Sequence, residues 1–222
     1  AVDGYTTTIN GTNITNKYTP EKTFVEGEKT WDDADNQDGK RPTTITVKLY
    51  KKVGDKEKEE VTTQEVKADD QGKWKYKFDN LPKYEGGKLI KYSVEEKAVD
   101  GYTTTINGTN ITNKYTPEKT SVEGTKTWDD ADNQDGKRPK EIKIKLLKNG
   151  KEIETKTVTE ADGWKWKFEN LDKYEKGQEI KYTIEEEVVA EYETTIDGFN
   201  VTNKHTPEVV NVQGTKTWND AN

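Results

Sequence analysis

The chain repeats itself over a period as long as a whole domain. Residues 1–23, AVDGYTTTINGTNITNKYTPEKT, recur letter for letter at 98–120, and WDDADNQDGKRP at 31–42 recurs at 128–139. Trp31, Trp128 and Trp218 each close a Lys-Thr-Trp segment, at spacings of 97 and then 90 residues. Solenoid units run to about 20–50 residues, so this period describes separate beads on a string. Two complete units fit in the 222 residues, at 22–117 and 119–207. Residues 1–20 read as the C-terminal end of a preceding unit and 208–222 as the start of a following one. These flanking pieces lack most of a domain and are expected to be poorly ordered unless they dock on a neighbour.

A unit of this size has little apolar material to work with. Only 28% of residues are apolar and 36% are charged, a balance that leans toward disorder. The 6 Trp and 11 Tyr argue the other way, because a few large, regularly placed rings can build a thin core. A thin core calls for a staple. There is no cysteine, so the staple is neither a disulfide nor a thiolate metal site. The lone His205 removes His-dependent triads and most transition-metal sites, and no metal or cofactor is expected. The net charge of −7 is spread over alternating Lys and Glu without a basic block, so nucleic acid is not an expected partner. The apolar runs are too short for a membrane span or a signal peptide, which leaves export to sequence outside this fragment.

The dominant pattern is period-2 alternation between turn residues, the mark of strands. Ile45, Val47 and Leu49 alternate with Thr46, Lys48 and Tyr50, and Trp74, Tyr76 and Phe78 alternate with lysines. The second unit carries the same stripe as Trp164, Trp166 and Phe168, read as sandwich core. Asn107-Gly108, and Asp197-Gly198 after it, sit between threonine-rich strands as hairpin turns. No segment shows helical spacing with caps, so each unit is expected to be all-β with seven or more strands. The units differ in length mainly at KKVGDKEKEEVTT, 51–63, where an insertion at a charged hairpin tip costs little loop entropy.

Alternation also points three polar residues inward. Lys29 shares a face with Val25, Gly27 and Trp31; Glu96 shares one with Tyr92 and Val94; Asn113 shares one with Ile111. The set recurs as Lys126, Glu186 and Asn203, with a Glu-to-Asn spacing of 17 in both units. Desolvation lowers the pKa of a buried amine and raises that of a buried carboxylic acid, so neutral amine beside protonated acid becomes accessible. A neutral amine is a nucleophile, and the Asn amide is an acyl group with ammonia as leaving group. Folding holds the two together. The product is a Lys to Asn isopeptide bond between an early and the last strand, with Glu as proton relay. The alternative is a buried Lys–Glu ion pair with Asn hydrogen-bonded nearby. Glu95 and Glu185 are the adjacent candidates for the acid, excluded only by strand parity, and Glu28, next to Lys29, is read as an exposed bystander.

At these residues the chain resembles the Cna B-type repeats of Gram-positive surface adhesins. VEGTKTWDDADNQDGKRP at 122–139, KYTIEEE at 181–187 and NVTNKHTP at 200–207 carry the resemblance, which covers essentially the whole chain. It implies tandem inverse immunoglobulin-like β-sandwiches joined by short linkers, each with a spontaneous isopeptide bond. By match, Lys29, Glu96 and Asn113 form one set and Lys126, Glu186 and Asn203 the other. Asn16 has no upstream Lys in its own unit, and Lys216 has no downstream Glu or Asn, so neither is expected to cross-link there.

Two weaker motifs are set aside. No frame of DDADNQDG at 32–39 puts acidic residues at loop positions 1, 3 and 5 with Gly at 6 and Glu at 12, so a turn entering the next strand through Arg41-Pro42 is expected in place of a calcium loop. The N-x-T sequons at Asn10, Asn13, Asn107 and Asn110 are incidental in a bacterial protein. The functional expectation is a stalk or spacer on a bacterial cell surface, a monomer whose contacts are neighbouring repeats and, through a region outside this fragment, host matrix. It modifies itself once and has no external substrate. The competing class is a multivalent binding module for matrix protein or glycan. A glycan-cleaving enzyme with paired carboxylates is disfavoured by the Lys-matched acidic runs. The linker at 114–124, with Pro117, is expected to be short and stiff.

Overall fold

A computed structural model of the chain describes residues 2–220 and divides between Pro117 and Glu118 into two compact units. The first opens with a hairpin of β1 (Thr6–Asn10) and β2 (Asn13–Lys17). The sandwich follows: β3 (Lys22–Asp32), β4 (Ile45–Val53), β5 (Glu59–Val66), β6 (Trp74–Pro82), β7 (Tyr84–Glu85), β8 (Lys88–Glu96), β9 (Thr103–Asn107) and β10 (Asn110–Lys114). One sheet runs β6-β3-β10-β9 and the facing sheet β5-β4-β8-β7. All ladders are antiparallel except β3 with β10, which is parallel. The first and last strands of the sandwich therefore lie side by side and point the same way.

The second unit has β11 (Lys119–Asp129), β12 (Glu141–Lys148), β13 (Lys151–Thr159), β14 (Lys165–Asp172), β15 (Tyr174–Glu175), β16 (Gln178–Glu179), β17 (Tyr182–Glu186), β18 (Glu193–Asp197) and β19 (Asn200–Lys204). Its sheets are β14-β11-β19-β18 and β13-β12-β17, with β11 parallel to β19 and a small β15-β16 ladder. The tandem all-β sandwich expected from the alternation is the architecture observed.

The alternating stripes face the core as read. Ile45, Val47, Leu49, Trp74, Tyr76 and Phe78 are buried in the first unit, and Ile142, Ile144, Leu146, Trp166 and Phe168 in the second. Trp164 departs from its stripe. A three-residue 3₁₀ turn, Glu160–Asp162, precedes it, and Trp164 takes φ 55°, so it enters β14 from outside and is only half-buried against the core. The hairpins form at the expected places, but the two-residue turn is set one position later than Asn107-Gly108, because Asn107 ends β9 paired with Asn110. In β9–β10 the turn residues are Gly108 and Thr109, and Gly108 alone has positive φ, 62°, the type II′ pattern with glycine first. The extra length of the first unit lies in the loop between β4 and β5, where the second unit makes a tight Asn149-Gly150 turn, both residues at positive φ.

The flanking pieces behave unlike their copies inside a unit. The β1–β2 hairpin has the same sequence as β9–β10 and the same register. Yet Ile14 is 67% exposed where Ile111 is 0%. Residues 209–220 form no strand, with Val209, Val210, Val212 and Trp218 exposed. Ala1, Ala221 and Asn222, which belong to these flanking pieces, lie outside the described residues.

Candidate functional site

Lys29 reaches the interior because β3 alternates: Val25 and Lys29 point in while Glu26 and Glu28 point out. Across the parallel ladder Ile111 faces Lys29 and Asn113 faces Trp31. Lys29 and Asn113 are thus diagonal neighbours on one face, within reach of a long side chain. Glu96 comes from the facing sheet, at the end of β8, paired with Val47 of β4. Lys29 and Glu96 meet between the sheets, with Asn113 on the neighbouring strand one diagonal position from Lys29. Lys29 Nζ lies 3.2 Å from Glu96 Oε1, and both side chains are 0% exposed. Asn113 is also 0% exposed. In the second unit Lys126 pairs with Glu186, again both fully shielded, beside a fully buried Asn203. The adjacent acids go elsewhere: Glu95 pairs with Lys58 at the surface, Glu185 is exposed opposite Lys145, and Glu28 is exposed with its backbone N–H donating to Asn110 Oδ1 at 3.0 Å.

The polar atoms of this cluster are poorly satisfied. Lys29 Nζ and Glu96 Oε1 are close but not aligned as a hydrogen bond, and both amide atoms of Asn113 and of Asn203 have no hydrogen-bond partner. A buried unpartnered donor or acceptor costs about 1–3 kcal/mol, and here the cost falls on both atoms of each amide. Burial pushes the Lys29 amine down to about 8, against the opposing pull of the negative Glu96 and Asp33. Lys126 is lowered by burial in the same way, against Glu186. At neutral pH an amine with a pKa of about 8 is neutral about a tenth of the time, enough to serve as a nucleophile.

A ring and an ion pair roof the site. Lys29 Nζ stands 4.3 Å above the Trp31 ring, and Trp31 packs edge-on against Trp74 and Tyr102. The Tyr102 hydroxyl donates to Asp33 Oδ2 at 2.9 Å. Arg41 holds the same carboxylate through two bonds of 3.0 and 2.6 Å. The second unit repeats this with Trp128, Trp164, Tyr192, Asp130 and Arg138. The DDADNQDG segment is therefore a turn, as expected: Asp33 accepts the Asn36 N–H at 2.9 Å, and Ala34, Asp35 and Asn36 all take left-handed φ. Asp33, Arg41 and Tyr102 were not legible as site residues, because alternation identifies faces within a strand and these lie in a loop and at a strand edge. The out-of-unit equivalents stand apart. Asn16 is exposed and accepts the Thr7 hydroxyl at 2.6 Å, and Lys216 is exposed over the Trp218 ring at 3.6 Å.

A family model for the Cna protein B-type domain matches residues 25–114 and 122–204. The chain belongs to the Cna B-type domain family. Its two Cna B-type units fall on the two matched segments, each an inverse immunoglobulin-like sandwich. Over its whole length the chain is 44% identical to a collagen adhesin of Staphylococcus aureus, of which it spans 19%. It is also similar to the crystal structure of two B repeat units of the collagen-binding protein of Staphylococcus aureus, with 45% identity and a TM-score of 0.71 over 93% of this chain and 56% of that one. The chain thus spans about a fifth of that adhesin and about half of the two-repeat structure.

Proposed function

We propose that each complete unit closes an isopeptide bond between Lys29 and Asn113, or Lys126 and Asn203, and that the chain is a stalk segment of a surface adhesin. The observation that supports this most is the pairing of a shielded, lowered-pKa amine with a buried amide whose two polar atoms are unpartnered. The neutral Nζ attacks the Asn113 Cγ, a C–N bond forms and the original amide nitrogen leaves as ammonia. Glu96 Oε1, beside the amine, takes the proton from the attacking nitrogen and returns it to the leaving one. Glu186 does the same in the second unit. The chain turns over once and acts on no external substrate.

The topology gives the bond a mechanical role. Tension entering at β3 crosses from Lys29 to Asn113 and leaves through β10, so Thr30–Thr112 lies outside the load path. Protease and force resistance suit a spacer displayed outside a Gram-positive cell and anchored to its wall. A ligand-binding region elsewhere in the full protein would make the contact with host matrix. Among the described residues no helix is long and apolar enough to cross a membrane.

Intact mass under denaturing conditions tests the chemistry. Each bond expels ammonia, so the chain is expected to be lighter than its sequence mass by about 34 Da, and by about 17 Da in Glu96→Ala or Glu186→Ala. A chain at its full sequence mass would reduce the trios to ordinary buried polar clusters.

A further inference from the structure

We propose that Thr104 and Thr194 are positioning residues of the cross-linking reaction: each hydroxyl fixes the proton-relaying glutamate and, by doing so, leaves the asparagine amide open to attack. The inference rests on the isopeptide reading above and adds a fourth member to each site.

Thr104 sits on β9 directly opposite Asn113, and Thr194 sits on β18 opposite Asn203. Directly paired residues in an antiparallel ladder share a face, so each threonine flanks its asparagine on the side away from the tryptophan. The Thr104 hydroxyl donates to Glu96 Oε2 at 3.0 Å, and the Thr194 hydroxyl donates to Glu186 Oε2 at 3.0 Å. In both units the other carboxyl oxygen, Oε1, is the one at the lysine. Glu96 and Glu186 are the last residues of their strands, and one contact to a flexible amine leaves the carboxyl plane free to turn. The threonine bond occupies Oε2 and fixes that plane, so the oxygen free to take and return a proton is the one beside the nucleophile. The carboxyls are 0% exposed, so water does not stand in for the hydroxyl.

The chain contains its own comparison. Thr7 and Asn16 occupy, in the same sequence, the places of Thr104 and Asn113. There the Thr7 hydroxyl donates to Asn16 Oδ1 at 2.6 Å and not to a glutamate. Where the glutamate is present the hydroxyl turns to it, and Asn113 and Asn203 keep no partner on either amide atom. The hydroxyl thus has two acceptors to choose from. The arrival of the glutamate during folding switches it from capping the amide to orienting the acid.

The test compares the parent chain with Thr104→Val and Thr104→Ser, each recovered unfolded before reaction and refolded by dilution. Ammonia loss is timed by intact mass, and the joined Lys29–Asn113 and Lys126–Asn203 peptides are quantified separately, the second bond serving as an internal clock. Valine keeps the shape and removes the donor; serine keeps the donor. Valine is expected to slow the Lys29–Asn113 bond about tenfold or more while Lys126–Asn203 forms at the parent rate, and serine is expected to restore the rate. A parent rate in the valine chain, or a serine chain as slow as valine, would overturn the proposal. So would a faster bond in the valine chain, since the hydroxyl would then act on carboxylate charge and not on geometry. If Thr104→Val leaves its unit unfolded by tryptophan fluorescence, Thr194→Val carries the same expectations with the bonds exchanged. A parent chain that never loses ammonia removes the isopeptide reading itself, and is recognised without any variant.

Discussion

At the scale of single residues, two buried charges set the pH behaviour of each unit. Lys29 is held at about 8 in the folded chain against an ordinary value near 10.4. The unfolded chain therefore binds more protons between these values, and the burden of burying the amine, full below about 8, is relieved as pH rises toward 10. The proposed bond would hide this effect, so it is read in Asn113→Ala. That chain is expected to be less stable in its first unit than Lys29→Met/Asn113→Ala at pH 7, with the gap shrinking by pH 10; denaturant midpoints at the two pH values check it. Asp130 has the opposite sign. Hydrogen bonding to Arg138 leads the causes that hold its carboxyl down at about 2, so it stabilises the fold above about pH 4 and that contribution is lost as pH falls toward 2. Arg138→Met strands a carboxylate that is 1% exposed and is expected to cost the second unit about 3 kcal/mol, measured by equilibrium unfolding at pH 7, with the difference from the parent closing below pH 3.

At the scale of elements, what decides the site is how strands and turns are brought against one another. Gly27 on β3 lies beneath the β9–β10 turn: a Cβ there would stand 2.1 Å from the Thr109 carbonyl oxygen and 2.5 Å from the Tyr76 hydroxyl. Gly124 is closer still to the Phe199 carbonyl, at 1.8 Å. Backbone on one side leaves little room to yield, so Gly27→Ala is expected to push β10 away from β3, destabilising the first unit by about 2 kcal/mol and slowing the Lys29–Asn113 bond. Thermal unfolding together with the timed mass loss checks both. The inward placement of Lys29, Glu96 and Asn113 was legible because a strand's period is fixed by its own backbone. Thr104 was not, since nothing in TTTIN says which neighbour it will face; that comes from the register with β10 and from the sheet opposite. The left-handed run Ala34-Asp35-Asn36 was equally hidden. Alanine has no preference for that conformation, and the run is held from outside, by Asp33 on the Asn36 N–H and by Asn36 Oδ1 on the Arg41 N–H at 2.9 Å. Trp164 broke its stripe for a similar reason, because the 3₁₀ turn before it resets the phase of the chain.

At the scale of the whole molecule, the parallel pairing of first and last strands is what would give the proposed amide a mechanical consequence for a whole unit. In a sandwich held only by hydrogen bonds, pulling on the chain ends shears β3 against β10, and once that ladder fails the unit can lengthen to its full contour. The proposed bond from Lys29 to Asn113 would stop this at its first step, because the two load-bearing strands would then be one covalent path. Between complete units only four residues, Tyr115–Glu118, separate β10 from β11, so little slack is stored outside the units. A chain with both bonds is expected to stretch under force without stepwise gains in length from its complete units. Lys29→Ala should release one step of roughly 30 nm, from about 3.5 Å per residue over Thr30–Thr112, and Lys29→Ala/Lys126→Ala two steps of similar size. Single-molecule extension measures this directly. Steps of that size in the parent chain would show that the load path runs through hydrogen bonds alone, and the stalk reading would then have to rest on stiffness and length without the covalent clasp.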